Sequence, residues 1–294
     1  MPHVHQRQFR IRNYECDSYG HLNNANYLRF MQETAFDAST AVGYDFKKYQ
    51  ELGHSWLIRS SEIEYISPVV YDDTLEIKTW VADLRRVSSR RVYEFYNKAN
   101  QSLIARAHTD WVYIDMKTLQ PTVIPDEMKL AFFPEGLPDT FPSRVPIQPA
   151  PPPPPGAFKY TRRVEWQEID GMQHVNNAEY LDYVSECAFH AIAASHWPWE
   201  RMVKAGFGIL LRRNQIQYLQ PALLGDQLEI TTWLSDARAV QALRHYRITR
   251  QAENGDEPTT IAWVHALGVC VELATGRPMR WPKEMLADFA PVIV

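Results

Sequence analysis

A long segment of this chain occurs twice, and this internal repeat is the feature that most constrains its fold. Residues 17–28 (DSYGHLNNANYL) return at 170–181 (DGMQHVNNAEYL), an offset of 153 residues from His21 to His174. The register holds over about 100 residues. Residues 253–260 then lengthen one turn of the second copy, after which the offset is 157. A register of this length predicts two tandem copies of one folding unit.

Proline marks the boundary between the two copies. Ten of the 20 prolines lie between Pro134 and Pro155. Because proline fixes φ and lacks an N–H donor, such a run favours an extended polyproline II connector. The run could also be a PxxP ligand for a partner domain. A plain linker is favoured, because the position between two matched copies already explains the prolines. We therefore expect an N-terminal domain at residues 1–133, a proline-rich linker at 134–157 and a C-terminal domain at 158–294.

Composition argues against several classes of function. The net charge is −4, whereas a broad nucleic-acid-binding surface needs clustered excess Lys and Arg, so no nucleic-acid partner is expected. No apolar run approaches the ~20 residues of a membrane span, and no secretory signal is visible. Cys16, Cys187 and Cys270 are scattered, which indicates reduced thiols in the cytoplasm. Zinc-type CxxC and HExxH pairs, glycine-rich nucleotide motifs and GxSxG are missing, so we expect no metal site.

The hydrophobic pattern of the first copy predicts a strand, a long helix and four further strands. Alternation over residues 8–14 predicts the first strand, and apolar residues at helical spacing predict a helix from about Ala25 to Val42. Asn23 or Asn24 is suited to cap the helix, and Gly43 to end it. Runs rich in β-branched and aromatic residues predict the four strands: Trp56–Ser67, Thr74–Leu84, Ser89–Lys98 and Leu103–Met116.

The second copy has the same pattern. It predicts a strand near Lys159–Trp166, a helix from about Ala178 to Ser195, and four strands that end at Leu273. Four consecutive strands without intervening helices argue against a doubly wound sheet. We therefore expect an α+β fold of two fused domains, each a curved antiparallel sheet wrapped around a long central helix.

A sheet wrapped around one helix resembles the hotdog fold. The string from Tyr14 to Tyr27 (YECDSYGHLNNANY) resembles the entry loop of the 4-hydroxybenzoyl-CoA thioesterase-like enzymes. The tandem form is similar to the acyl-carrier-protein (acyl-ACP) thioesterases, which are double hotdogs. The resemblance covers both repeats and excludes the linker. It implies hydrolysis of an acyl-CoA or acyl-ACP thioester without a metal or an organic cofactor.

The resemblance also implies how the two domains assemble. Hotdog units normally pair with their helices side by side and their sites at the interface. We therefore expect the two domains to pack as an intramolecular pseudo-dimer, with up to two sites that use residues from both repeats. Further assembly into a homo-oligomer is left open.

Three positions limit what the resemblance transfers. The asparagine that plant acyl-ACP thioesterases place two residues before the histidine is Tyr19 in one copy and Met172 in the other. Their downstream catalytic glutamate has no counterpart near Ala222, so the plant triad is not transferred. The residue before the histidine is Gly20 in one copy and Gln173 in the other, so equal activity of the two sites does not follow.

In the family, the usual catalytic carboxylate is the aspartate that aligns with Asp17 and Asp170. It could act as a general base on water or as a nucleophile, and the sequence does not separate these roles. The first turn of the following helix offers unpaired N–H groups as an oxyanion hole. We expect His21 and His174 to position the reacting groups rather than to transfer a proton. Four asparagines at the helix starts are expected to cap and brace the loop or to contact the ligand: Asn23, Asn24, Asn176 and Asn177.

Several of these assignments have structural alternatives. Asp17 and Asp170 could merely brace their own loops. Glu33 and Glu186, within the helices, could face a pocket, but an exposed or salt-bridged position is favoured. A set of aromatic residues is expected to line an acyl pocket or to lie in the core: Tyr19, Tyr27, Phe30, Trp56, Tyr180 and Tyr183. Four arginine pairs could bind the phosphates of CoA but are more typical of a solvated surface: 85–86, 90–91, 162–163 and 212–213.

The preferred function is an acyl-CoA thioesterase. A hotdog hydratase or dehydratase places its Asp and His in a differently spaced loop, which is missing here. A non-catalytic acyl-CoA-binding protein would not need an aspartate aimed at the carbonyl in both copies. The acyl group is open, as is the choice between CoA and carrier protein. Because no pronounced basic patch stands out for an acidic carrier protein, CoA is favoured.

Overall fold

The chain folds into two units, at Met1–Pro146 and Ile147–Val294. The computed structural model describes residues 1–251 and 257–294, so part of the lengthened turn at 253–260 lies outside the described residues. Within the described residues, no helix combines the length and apolar character needed to cross a bilayer.

The N-terminal unit is a five-stranded antiparallel sheet with one long helix. Its strands lie in the order β1-β3-β4-β5-β2. Its elements are β1 (Val4–Arg10), α1 (Asn24–Ala41), α2 (Phe46–Leu52), β2 (His54–Tyr65), β3 (Thr74–Leu84), β4 (Ser88–Asn97), β5 (Leu103–Asp115) and α3 (Asp126–Phe132). The apolar face of α1 is buried, with Leu28, Met31, Ala35 and Ala38 at helical spacing.

The C-terminal unit repeats this plan. Its strands lie in the order β6-β8-β9-β10-β7, again antiparallel. Its elements are β6 (Phe158–Arg163), α4 (Glu179–Ala194), α5 (Trp199–Lys204), β7 (Phe207–Tyr218), β8 (Gln227–Ser235), β9 (Gln241–Arg250), β10 (Thr259–Glu272) and α6 (Lys283–Phe289). The predicted α+β class and the order of strands and long helices are therefore confirmed in both units.

The sequence misplaced one strand and missed four short helices. We predicted the first strand at residues 8–14, whereas β1 ends at Arg10, because Asn13–Glu15 form a single 3-10 turn. The segment before β2, predicted as a short connection, contains α2. Asp45 caps this helix by accepting the N–H of Lys48 at 2.8 Å. The other missed helices are equally short: α3, α5 and α6.

The proline-rich segment has no helix or strand. The boundary between the two units, after Pro146, lies within the expected linker at 134–157. The first part of that segment is attached to the N-terminal unit. Nε of Arg144 donates to Oδ2 of the buried Asp83 at 2.9 Å, and Nη1 of Arg144 lies 3.5 Å from Oδ1 of Asp110.

A buried chain of three polar side chains lies in the sheet of the C-terminal unit. Oγ of Ser235 is 2.7 Å from Nε2 of His245, and Nδ1 of His245 is 2.8 Å from Nδ1 of His265. Burial, together with the neighbouring His265, lowers the pKa of His245 to about 4, against an opposing effect of Asp236. Burial also lowers the pKa of His265, as does Arg213. Both histidines are therefore neutral in the folded unit at pH 7.

Acid should destabilise the C-terminal unit through this chain. The unfolded chain protonates His245 near pH 6.5 and the folded chain only near pH 4. The stability held by the neutral form is therefore complete above pH 6.5 and is lost as the pH falls towards 4. The double variant Ser235→Ala, His245→Val gives the C-terminal unit the residue types that the N-terminal unit has at the equivalent positions, Ala82 and Val92. In urea unfolding measured from pH 7.5 to 4.5, this variant should lose less of its free energy of unfolding than the wild type. An unchanged pH dependence would contradict this role.

Candidate active site

The predicted catalytic loop of the N-terminal unit is a tight turn closed by backbone hydrogen bonds. The N–H of Asp17 donates to the carbonyl of His21 at 2.7 Å, and the N–H of Gly20 donates to the carbonyl of Asp17 at 2.9 Å. Cys16 and Leu22 pair across the base of the loop. Gly20 has a φ of +77°, in the left-handed region that glycine occupies without strain. The loop therefore holds Asp17 and His21 next to each other.

One carboxylate oxygen of Asp17 braces this loop. Oδ1 accepts the N–H of Tyr19 at 2.9 Å and that of His21 at 3.1 Å. Asp17 is half-buried. The bracing role that we set out as the alternative is therefore real, and it fixes the orientation of the carboxylate. Because Oδ1 is held by backbone donors, Oδ2 is the oxygen left for a substrate or a water molecule.

The loop of the C-terminal unit has the same closure with one conformational difference. The N–H of Asp170 donates to the carbonyl of His174 at 2.9 Å, and Oδ1 of Asp170 accepts the N–H of Met172 at 2.8 Å. Gln173 replaces Gly20 and has a φ of +62°. A non-glycine residue in this region is strained by about 1–2 kcal/mol. The second loop therefore reaches its shape at a higher conformational cost.

Each loop leads directly into the N-terminus of the long helix. Oδ1 of Asn23 accepts the N–H of Ala25 at 2.9 Å, and Oδ1 of Asn176 accepts the N–H of Ala178 at 2.9 Å. Asn23 thus caps α1, as one of the two asparagines that the sequence offered for this role, whereas Asn176 braces the turn at 177–178 that precedes α4. In the described parts of the chain, the backbone N–H groups of Asn24 and Asn177 have no hydrogen-bond acceptor. These two donors can receive a developing negative charge.

Sequence reasoning missed a buried glutamate that joins the start of the first loop to its end. Glu15 is 7% exposed. Its Oε2 accepts the N–H of Arg12 at 2.8 Å, and its backbone carbonyl accepts the N–H of Asn23, the helix cap, at 2.9 Å. Glu15 lies two residues before Asp17. It therefore fixes the distance between the carboxylate loop and the helix start.

Glu168 makes the equivalent hydrogen bonds in the C-terminal unit and has further partners. It is also 7% exposed, and it accepts from the N–H of Glu165 at 2.8 Å and, through its carbonyl, from that of Asn176 at 2.9 Å. Its carboxylate further accepts the hydroxyl of Tyr183 at 2.8 Å and pairs with Arg162. Both copies have glutamate at this repeat position, two residues before the loop aspartate. This identity is the sequence signal that could have identified both glutamates.

Phe30 and Tyr183, expected in an acyl pocket or the core, occupy equivalent buried positions with different neighbours. Phe30 stacks on Phe9, with ring centroids 4.4 Å apart. Tyr183 lies under the guanidinium of Arg162, which is 3.7 Å from its ring centroid. Both side chains pack inside their own unit, as core residues do.

The tyrosines at the helix starts are also core residues. Tyr27 is buried edge-on against Tyr65, with ring centroids 5.2 Å apart, and burial raises its pKa. Oη of the buried Tyr180 accepts the N–H of Ala222 at 3.3 Å, and burial raises the pKa of Tyr180 to about 12. Tyr19 is half-buried, with its ring 6.3 Å from that of His21. Tyr19 therefore lies beside the loop histidine.

Three other expected pocket residues lie elsewhere. Glu33 and Glu186 have side chains that are 54% exposed; Glu33 pairs with Arg7 at 3.3 Å and Glu186 with His190 at 3.1 Å. The exposed or salt-bridged alternative therefore describes both, and a pocket-lining role does not. Trp56 is half-buried and donates from Nε1 to Oη of Tyr49 at 3.1 Å. It lies near the start of β2, far along the strand from Tyr65.

Four of the paired arginines are exposed, as expected for a polar surface: Arg85, Arg86, Arg163 and Arg212. Arg90, Arg162 and Arg213 are half-buried, and Arg90 pairs with Asp110 at 2.7 Å. Arg91, in contrast, is buried and faces the interior of the N-terminal unit.

Comparison with known proteins extends over both units. Residues 11–132 and 164–289 each match the model of the Thioesterase-like superfamily. The Cuphea viscosissima acyl-[acyl-carrier-protein] hydrolase FATB2 is 24% identical over 198 residues, covering 62% of this chain and 47% of that protein. The Escherichia coli O157:H7 acyl-CoA thioester hydrolase YbgC is 26% identical over 132 residues, covering 45% of this chain and 95% of that protein. The chain spans about half the length of the plant relatives that it matches.

The solved structures agree at the level of the fold. The 12:0-ACP thioesterase from Umbellularia californica superposes with a TM-score of 0.71 at 18% identity, covering 90% of this chain and 93% of that one. Because the family model covers most of both repeats and the fold matches along the chain, the protein belongs to the Thioesterase-like superfamily and its two units are hotdog domains.

Proposed function

We propose that this protein hydrolyses an acyl-CoA thioester to a free acid and a thiol. The observation that carries the proposal is the duplicated junction of loop and helix. In each unit a braced aspartate, Asp17 or Asp170, precedes an unpartnered backbone N–H, at Asn24 in the first residue of α1 or at Asn177 in the turn before α4. A carboxylate beside a preorganised amide donor is what acyl transfer from a thioester requires.

The proposed chemistry begins at the carbonyl oxygen of the thioester. This oxygen accepts the N–H of Asn24 or Asn177, where the positive end of the helix stabilises the charge that grows during attack. One aimed donor of this kind contributes about 3 kcal/mol to catalysis. Oδ2 of the aspartate faces the acyl carbon. It either deprotonates a water molecule that attacks this carbon, or attacks it directly; in the second case the C–S bond breaks, and water then hydrolyses the mixed anhydride to the free acid and the aspartate. The loop amides on Oδ1 hold this orientation.

The histidines have a positioning role in this proposal. The backbone of His21 both donates to and accepts from Asp17, and the carbonyl of His174 accepts from Asp170. Their side chains would orient the thioester carbonyl or the attacking water. A CoA thiol has a pKa close to the ~8.5 of free cysteine, so the thiolate leaves without a proton donor.

The choice of CoA follows from size. The bacterial hydrolase acts on acyl-CoA according to its name, and its 132 matched residues, 45% of this chain, are about the length of one unit. The match covers 95% of that protein, whereas it covers 47% of the plant relative named for acyl-ACP. The three cysteines are free thiols, in keeping with the reducing cytoplasm.

The double variant Asp17→Asn, Asp170→Asn tests the proposal. Asparagine keeps the acceptor on the loop amides but can neither deprotonate water nor attack the acyl carbon, so thiol release from a panel of acyl-CoAs should fall at least about 1,000-fold. Circular dichroism should remain that of the wild type. The two single variants show how much each site contributes.

Three results would contradict the proposal. Unimpaired thiol release by the double variant would exclude a carboxylate mechanism. Hydration of an enoyl-CoA without thiol release by the wild type would indicate a hydratase. Saturable acyl-CoA binding without either reaction would indicate a binding protein.

A second prediction concerns the buried glutamates. The pair Glu15→Gln, Glu168→Gln removes the charges that close the turn before each loop, on the N–H groups of Arg12 and Glu165, while leaving the side chains similar in size. Since a small misplacement of a reacting group costs up to about 100-fold, kcat should fall about tenfold or more with little change in KM. Glu165→Gln, at an exposed neighbouring position, is the matched control. A rise in KM at constant kcat would show that these glutamates act on substrate binding instead.

A further inference from the structure

A buried arginine in the N-terminal unit has no carboxylate partner. Arg91, on β4, is 5% exposed. Its Nη1 lies 3.4 Å from Oγ1 of Thr79, and its guanidinium lies 5.5 Å from the ring centroid of Phe132. No Asp or Glu oxygen among residues 1–251 and 257–294 lies within 4.0 Å of it.

Such a charge is expensive to bury. Burying an unpaired ion in a protein interior destabilises the fold by several kcal/mol, whereas one cation–π contact stabilises it by about 1–2 kcal/mol. Burial lowers the pKa of Arg91, yet a guanidinium stays protonated in proteins. The guanidinium is thus a fixed positive charge that lacks an anion.

A buried hydroxyl near the arginine also lacks a partner. Oη of Tyr113, on β5, is inaccessible and makes no hydrogen bond with the described residues. Tyr113 belongs to the same hydrophobic cluster as Phe132, and the guanidinium of Arg91 lies over the ring of Phe132. A cation and an unused hydroxyl donor therefore lie in one interior region.

The repeat provides an internal comparison. Three residues of this region are retained in the C-terminal unit: Arg244 for Arg91, Thr232 for Thr79 and Phe289 for Phe132. Arg244 makes the same two contacts, at 3.4 Å and 5.8 Å, but it is more exposed.

The hydroxyl-bearing residues are not retained. The counterparts of Tyr49 and Tyr113 are Met202 and Cys270, and Ile209 replaces Trp56. The fold is thus compatible with an apolar cluster at this position, as the C-terminal unit shows. The hydroxyl groups around Arg91 are a specific property of the N-terminal unit.

We propose that Arg91 and Tyr113 bind the carboxylate of a small organic acid with an apolar body. The guanidinium fork matches the two oxygens of a carboxylate, and Oη of Tyr113 donates a third hydrogen bond. The surrounding side chains of Val81, Leu84 and Phe132 suit an aliphatic or aromatic body. The apolar surroundings favour a monoanion over a phosphate dianion, whose desolvation costs more.

This site is separate from the Asp17 loop of the same unit. Tyr44, which packs on the cluster, follows the C-terminus of α1, whereas the loop precedes its N-terminus. At 1.5 Å per residue, the 18 residues of α1 span about 27 Å. The proposed site therefore does not depend on the proposed hydrolysis, and binding measurements test it independently.

The test compares acids with matched neutral alcohols on the intact chain. Calorimetric titration with benzoate and hexanoate should show saturable binding at least tenfold tighter than with benzyl alcohol and 1-hexanol. Arg91→Gln should weaken binding of the acids tenfold or more. The counterpart variant Arg244→Gln should leave it unchanged. Tyr113→Phe, which removes one hydroxyl, should weaken it severalfold and decides the matter if Arg91→Gln does not fold.

Three outcomes would overturn the proposal. Equal affinity for acids and alcohols would show that the negative charge of the carboxylate does not contribute to binding. Wild-type affinity in Arg91→Gln would place the ligand elsewhere. Binding that survives in Arg91→Gln but is lost in Asp17→Asn, Asp170→Asn would assign the acid to the loops, as a product of the proposed hydrolysis.

Discussion

The junction between loop and helix in each half depends on one buried glutamate. Glu15 and Glu168 accept a backbone N–H on the carboxylate and the N–H of Asn23 or Asn176 on the carbonyl, while the catalytic aspartate candidate follows two residues later. A buried carboxylate persists only when its oxygens are satisfied. The hydrogen bonds that satisfy them fix the positions of the turn, the loop and the helix start relative to one another. The placement of the aspartates therefore depends on these two glutamates.

The duplication separates what the fold needs from what each half adds. The asparagines that brace the start of each junction, Asn23 and Asn176, and the glutamates Glu15 and Glu168 are the same in both units. The side chains around them differ between the units. Phe9 stacks on Phe30 in the N-terminal unit, whereas their counterparts in the C-terminal unit, Arg162 and Tyr183, contact each other and Glu168. The shared set specifies the loop–helix junction, and the divergent set lets the two halves acquire different properties.

Much of the architecture could be predicted from the sequence because the long elements carry strong periodic signals. The helix from about Ala25 to Val42 is α1 at Asn24–Ala41, and the strand predicted at Thr74–Leu84 is β3 with the same bounds. The helices of six or seven residues have too few turns for such a signal.

The details of the site were less accessible to sequence reasoning. The bracing of Asp17 depends on backbone donors from Tyr19 and His21, and a residue pattern does not record where a backbone N–H points. The interior position of Arg91 was missed for a related reason. Paired arginines usually face water, and only the packing of β4 against the cluster at Phe132 shows that the second of this pair does not.

The central claim is that the thioester carbonyl lies at a helix start, facing a braced aspartate. A structure of the Asp17→Asn, Asp170→Asn variant with a bound acyl-CoA would test it most directly. Our account predicts the carbonyl oxygen within about 3 Å of the N–H of Asn24 or Asn177, with the acyl carbon facing the side chain at position 17 or 170. A thioester bound away from both helix starts would contradict it.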